Sequence, residues 1–138
     1  MPKRLTDDLV SLIFNAGQIL KEKAREKTNF KDCSFMHIQT LHYIKDRDGA
    51  AMRDVAFYLH ITPPSATSLV NSLVKKSLVK RVVDKRDRRA VKLQITRTGI
   101  DLLKNNLKKI ASVIEKGVNA LSENEKKTFA VILKKISQ

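Results

Sequence analysis

Thr62-Pro63-Pro64-Ser65-Ala66-Thr67-Ser68-Leu69-Val70-Asn71-Ser72-Leu73-Val74 is the stretch that decides the fold. Thr62 can cap a helix, and Pro63 then sits at the first helical position, where its missing N–H costs nothing. Ala66, Leu69, Val70, Leu73 and Val74 fall at i, i+3, i+4, i+7 and i+8, so they predict one buried stripe. The opposite face carries Ser65, Thr67, Ser68, Asn71 and Ser72, all short hydrogen-bonding side chains. A helix with a small polar outer face can lie deep in the major groove of DNA. Taken alone, this face would equally suit an ordinary solvated helix. The next segment of the chain separates the two.

Lys80-Arg81-Val82-Val83-Asp84-Lys85-Arg86-Asp87-Arg88-Arg89-Ala90-Val91-Lys92-Leu93-Gln94-Ile95-Thr96 reads as two strands around a polar, basic tip. From Lys75 to Arg97 there are ten basic residues against Asp84 and Asp87, a local charge of +8 out of the chain's +14. A helix fit for a groove, followed directly by a basic ribbon, implies a winged helix-turn-helix. The candidate DNA contacts are Pro63, Pro64, Ser65, Thr67, Ser68, Asn71, Ser72 and Lys75 on the helix. On the wing they are Lys85, Arg86, Asp87, Arg88 and Arg89. The tip alternates Arg with Asp, so Asp84 and Asp87 are expected to hold some of these arginines while another projects. A guanidinium so fixed suits a narrow, negative minor groove.

Upstream, Met52–Leu59 predicts a short helix on Val55, Ala56 and Leu59, and His60-Ile61 a tight turn, which is helix-turn-helix spacing. Ser34 is expected to cap a helix carrying Phe35, Ile38, Leu41 and Ile44. Asp46-Arg47-Asp48-Gly49 is turn chemistry, and Ala50-Ala51 is a candidate strand stub beside the wing. At the ends, Thr6 is expected to cap a helix to about Lys27 with an apolar stripe of Leu9, Ile13, Ala16 and Leu20. Thr28–Cys33 would be a connector. Thr98 is expected to cap a long helix, with Ile100, Leu103, Leu107, Ile110, Ile114, Val118 and Leu121 near a coiled-coil rhythm. Ser122-Glu123-Asn124-Glu125 is a capping box opening a last helix with Phe129, Ile132, Leu133 and Ile136 on one face. A minimal winged helix needs neither end, so dimerisation best explains them.

The chain resembles the MarR family of transcription regulators. The family's wing pattern Asp-x-Arg-Asp-x-Arg is matched by Asp84, Arg86, Asp87 and Arg89, and its Leu/Ile-Thr-x-x-Gly by Ile95, Thr96 and Gly99. Asp54, Val55, Ala56, Leu59, Ile61 and Thr62 match the pattern before the recognition helix. Two departures stand out. Ser77 replaces a common Gly, which weakens a helix C-cap, and Cys33-Ser34-Phe35-Met36-His37 replaces Leu-Thr-x-x-Gln. The resemblance implies a homodimer, with Arg89 in the minor groove and Asp87 steadying it. It also implies a small-molecule effector as a further partner. The pocket would draw on Phe14, His37, Leu41, Tyr43 and Leu107.

The expected fold class is therefore mainly α with a small β-ribbon. One MarR-like domain over 1–138 is expected, with dimerisation helices at about 6–30 and 98–138 around a DNA-binding lobe at about 34–97. The expected partner is double-stranded DNA. With no apolar run near the ~18–20 residues a membrane span needs, no membrane association is expected and a cytoplasmic location is. A single cysteine excludes an intrachain disulfide and suggests a reducing compartment. Cys33 reads as a structural thiol rather than a peroxide sensor. His37, His42 and His60 lack the spacing of a metal site, and no cofactor is expected. Four scattered glycines form no phosphate loop and no catalytic constellation stands out, so the chain is not expected to be an enzyme. Two rivals to the operator-binding repressor are a sequence-indifferent chromatin-like or RNA-binding protein and a winged-helix protein-interaction module. The hydroxyl-rich helix face argues against the first, and the wing arginines argue against the second.

Overall fold

The structure, a computed structural model, describes residues 4–27, 33–47 and 49–138. Its elements run α1 (Leu5–Lys27), α2 (Phe35–Asp46), α3 (Met52–Leu59), α4 (Pro63–Lys75), β1 (Val79–Val83), β2 (Val91–Ile95), α5 (Arg97–Gly117) and α6 (Glu123–Ile136). This is the mainly helical architecture with a small β-ribbon that the sequence implies. Residues 28–32 of the expected connector, and Asp48 of the expected turn, lie outside the described residues. The chain forms two compact units, residues 30–107 and residues 1–29 with 108–138.

In the 30–107 unit, Ile38, Leu41, Val55, Val70, Leu73, Val79, Leu93 and Leu103 form a closely packed core, each at most 2% exposed. The helix starts are fixed by local hydrogen bonds. Thr62 Oγ1 accepts the Ser65 N–H at 3.3 Å, with Pro63 in the first turn as its ring requires. Ser34 opens α2 through a capping box whose third residue is a histidine. His37 N–H donates to Ser34 Oγ at 3.3 Å, and Ser34 N–H donates to His37 Nδ1 at 2.9 Å. Between α3 and α4 the chain turns on His60, whose φ of 53° is left-handed.

The end of α4 is a Schellman closure. Ser77 N–H donates to Val74 O at 2.9 Å and Leu78 N–H to Leu73 O at 3.0 Å, with Ser77 at φ 59°. The common family glycine at this position thus has a physical reason, and Ser77 occupies its left-handed conformation. β1 and β2 pair antiparallel, and Ala50 adds a third-strand bridge to Leu93, as the strand-stub reading anticipates.

Two helix starts differ from expectation. Thr6 lies inside α1, which begins at Leu5 with the Asp7 N–H on Arg4 O at 2.9 Å. Thr98 likewise lies inside α5, and Thr96 does the capping. Its hydroxyl accepts the Gly99 N–H at 3.0 Å and donates to Ser77 O at 2.6 Å. That second bond reaches back across the wing, which is why Thr96 prevails over Thr98. Gly99 completes the joint, since a Cβ there would stand 2.2 Å from Leu78 O.

In the other unit, α1 approaches the end of α5, where a Cβ on Gly117 would lie 3.1 Å from Leu20. Ser122 and Glu125 form the expected capping box at 3.1 and 2.9 Å. Leu9 and Ile13 on α1 and Phe129, Ile132, Leu133 and Ile136 on α6 are exposed. No helix among the described residues is long and apolar enough to cross a membrane.

Candidate nucleic-acid interface

The α4 helix buries Ala66, Val70 and Leu73, which turns the polar side of its sequence outward. Ser65, Thr67, Ser68, Asn71 and Lys75 are exposed, while Ser72 is half-buried. Their hydrogen-bonding capacity is not equally available. Thr67 Oγ1 donates back to Pro63 O at 3.0 Å, and Thr62 Oγ1 donates to Ser65 Oγ at 2.9 Å. Ser72 Oγ meets His37 Nε2 at 3.2 Å. Among the described residues, the Ser68 hydroxyl forms no hydrogen bond. Asn71 accepts through Oδ1 from the Arg81 guanidinium on β1. A ligand above this face would therefore meet Ser68 and the Asn71 amide N–H groups first.

His37 connects α2 to α4. The Ser34 N–H is a donor, so Nδ1 must accept it, and the neutral ring then carries its proton on Nε2 and donates to Ser72. Burial, and then the Lys76 ammonium, push this imidazole below its ordinary value. His37 also lines a cleft of about 530 Å³ with Met36, Ile61, Ser65, Ser68, Leu69 and Ser72. The other residues named for an effector pocket do not border this cleft. Leu41 is wholly buried in the core, Tyr43 stacks on Tyr58 at 4.3 Å, Leu107 is half-buried and Phe14 is exposed on α1.

At the wing tip, Lys85, Arg86, Asp87, Arg88 and Arg89 are all exposed. The carboxylates do not hold guanidinium groups, contrary to the sequence expectation. Asp84 Oδ1 accepts the Arg86 backbone N–H at 2.9 Å, and Asp87 Oδ1 accepts the Arg89 backbone N–H at 3.0 Å. An Asp bonding to the amide two residues on is a short-range turn, formed at less entropic cost than clamping a long arginine. The Arg86 N–H holds the Asp84 carboxyl below its usual range; desolvation opposes it, and the Lys92 ammonium at 3.5 Å adds to the lowering. Among the described residues no carboxylate pairs with Arg86, Arg88 or Arg89. The tip is thus shaped by its aspartates while its guanidinium groups stay uncompensated.

Arg81 joins this face although local sequence patterns do not assign it there. A signal is present in the sequence, since Arg81 alternates with Val79 and Val83 on one strand face, of which Val79 is buried and Val83 is exposed. Only the placement of α4 beside β1 reveals its partner. No group of metal-ligating residues occurs among the described residues.

A short helix, a tight turn, a capped helix with a hydroxyl-rich face and a basic two-stranded ribbon together define a winged helix-turn-helix protein. Within that class, residues 32–90 match the model of the MarR family. Solved structures agree over nearly the whole chain. MepR of S. aureus in complex with DNA is 28% identical, with a TM-score of 0.74 over 91% of each chain. BpsR of Bordetella bronchiseptica, studied for regulation of its DNA binding by 6-hydroxynicotinic acid, is 17% identical, with a TM-score of 0.83 over 100% of this chain and 99% of that one. Apo MarR of E. coli is 20% identical, with a TM-score of 0.78 over 93% of this chain and 96% of that one. At these identities, the last two speak for the fold alone. No match was found among curated protein sequences.

Proposed function

We propose that this protein is a sequence-specific DNA-binding transcription regulator, not an enzyme, acting as a homodimeric repressor on a roughly palindromic operator. Each α4 lies in the major groove of one half-site, and each wing reaches the flanking minor groove with Arg86, Arg88 and Arg89. Two-fold symmetry sets the half-sites about one helical turn apart. The observation that carries this reading is the pairing of an exposed hydroxyl-and-amide helix face with a ribbon whose arginines have no carboxylate partner among the described residues. MepR, 28% identical, is solved with DNA, which supports duplex DNA as the partner. The exposed apolar side chains of α1 and α6 support dimerisation. A small-molecule effector modulates binding in this reading. The structure of MepR with ethidium bromide supports that element.

The test is duplex binding across a salt series. Log K should fall by about 0.9 per phosphate neutralised as log salt rises. Binding unchanged between ~50 and ~200 mM salt would overturn the nucleic-acid reading. Light scattering on the intact chain tests the assembly, and a monodisperse monomer would refute the dimer.

A further inference from the structure

Arg81 stands where strand alternation calls for an apolar side chain. Val79 pairs with Ile95, Arg81 with Leu93 and Val83 with Val91, so these six share one face of the ribbon. On that face Val79 and Leu93 are 2% and 0% exposed. Arg81 itself is exposed, and its guanidinium donates to Asn71 Oδ1 on α4. Among the described residues it has no carboxylate partner, so a neutral carboxamide on the candidate reading helix is where this charge goes.

The consequence is chemical. A free carboxamide on a recognition helix offers one acceptor and one donor side by side, the pairing that reads adenine through N6–H and N7. Arg81 occupies one lone pair of Oδ1 and ties that oxygen to the ribbon, which leaves the two N–H donors of Nδ2 as the free end of the Asn71 carboxamide. The unused N–H groups of Arg81 are donors too. A donor-only unit needs an acceptor-only edge, and guanine, with O6 and N7, is the one base that presents two acceptors in the major groove. Thymine presents one, adenine mixes acceptor with donor, and cytosine presents a donor.

We propose, resting on the DNA-reading function above, that Arg81 is a positioning residue which commits Asn71 to donate, so that the pair selects guanine at the operator position it faces. Without Arg81 the carboxamide is free to turn, and the same asparagine then favours adenine.

The experiment is selection from random duplex DNA at physiological salt with the full-length chain and three variants, Arg81→Ala, Arg81→Met and Asn71→Ala. Arg81→Met keeps an unbranched stem on the ribbon face, so it guards against loss of fold. Native protein should select guanine at one position of each half-site by about tenfold or more over adenine. Asn71→Ala should make that position degenerate. Both Arg81 variants should shift it toward adenine and leave the other positions unchanged. Adenine in the native selection would overturn the proposal. So would an unaltered guanine in both Arg81 variants, or an equal loss of preference at every position. Selection of an operator in which no position responds to Asn71→Ala would defeat this proposal and leave DNA reading standing. Failure of the native protein to select or retain duplex DNA would defeat both.

Discussion

Replacing Ser77 by glycine should stabilise the protein, and the size of the gain can be worked from the α4 terminus. Ser77 is held at φ 59°, a conformation that costs an L residue about 1–2 kcal/mol because Cβ crowds the following carbonyl. Glycine has no such crowding. Its greater freedom in the unfolded chain takes back about 0.4–1 kcal/mol. Nothing else should be lost. The N–H bond to Val74 O and the Thr96 hydroxyl on the Ser77 carbonyl are both backbone contacts at this residue, and the serine side chain is exposed. The net gain should be roughly 0.5–1 kcal/mol, equivalent to a rise of about 2–4 °C in Tm. Urea unfolding at one fixed protein concentration should show a higher midpoint with the same slope. A midpoint that stays put or falls would refute the strain assigned to this closure.

Gly99→Ala should do the reverse, costing about 2–3 kcal/mol or more, since its Cβ meets a backbone oxygen at 2.2 Å and Ile95 Cγ1 at 2.8 Å. A thermal melt within a degree of the native protein would contradict that close approach. His37 should make stability pH-dependent. Its folded value lies below its ordinary 6.5, so the unfolded chain takes the proton first. The stability it contributes is complete above about pH 6.5 and is lost as pH falls toward the depressed folded value. His37→Gln should flatten the pH 7.5 to 5 stability profile relative to the native protein, and parallel profiles would refute this. Arg89→Ala should weaken operator and random DNA alike and lower the salt slope by about one, measured by anisotropy across a salt series. Loss of operator preference alone would show that Arg89 reads bases instead.

Features governed by contacts within three or four residues were legible in the sequence. Thr62, Ser34 and Ser122 cap helices because a hydroxyl reaches an amide three positions on, and that geometry is implicit in the spacing. The start of α5 was misplaced because Thr96 and Thr98 look alike locally. The choice is made by Ser77 O, nineteen positions back along the chain. The wing tip failed in the opposite way. Charge alternation suggested side-chain pairs, whereas the shorter Asp-to-amide bonds at Arg86 and Arg89 compete successfully for the same carboxylates. The Arg81–Asn71 contact was out of reach of local reasoning altogether. It requires the ribbon register and the packing of α4 against β1 together.

The wing aspartates then admit a common explanation with the charge they reduce. Asp84 and Asp87 subtract two charges from a ribbon whose purpose, in the proposed function, is to meet phosphates. If those carboxylates clamped guanidinium groups, each pair would have to break or stay neutral at the DNA surface, and fewer counterions would be released. Because they accept backbone N–H groups instead, they order the tip without occupying its arginines. The loss of formal charge is traded for a tip whose shape is set before DNA arrives, which lowers the ordering cost of binding. The ribbon base obeys the same logic, since Arg81 turns to a neutral carboxamide and not to a carboxylate. Apart from Lys92, which pairs with Asp84 at 3.5 Å, charge on this ribbon is oriented without being cancelled, and in the proposed function that separates a reading surface from a merely soluble one.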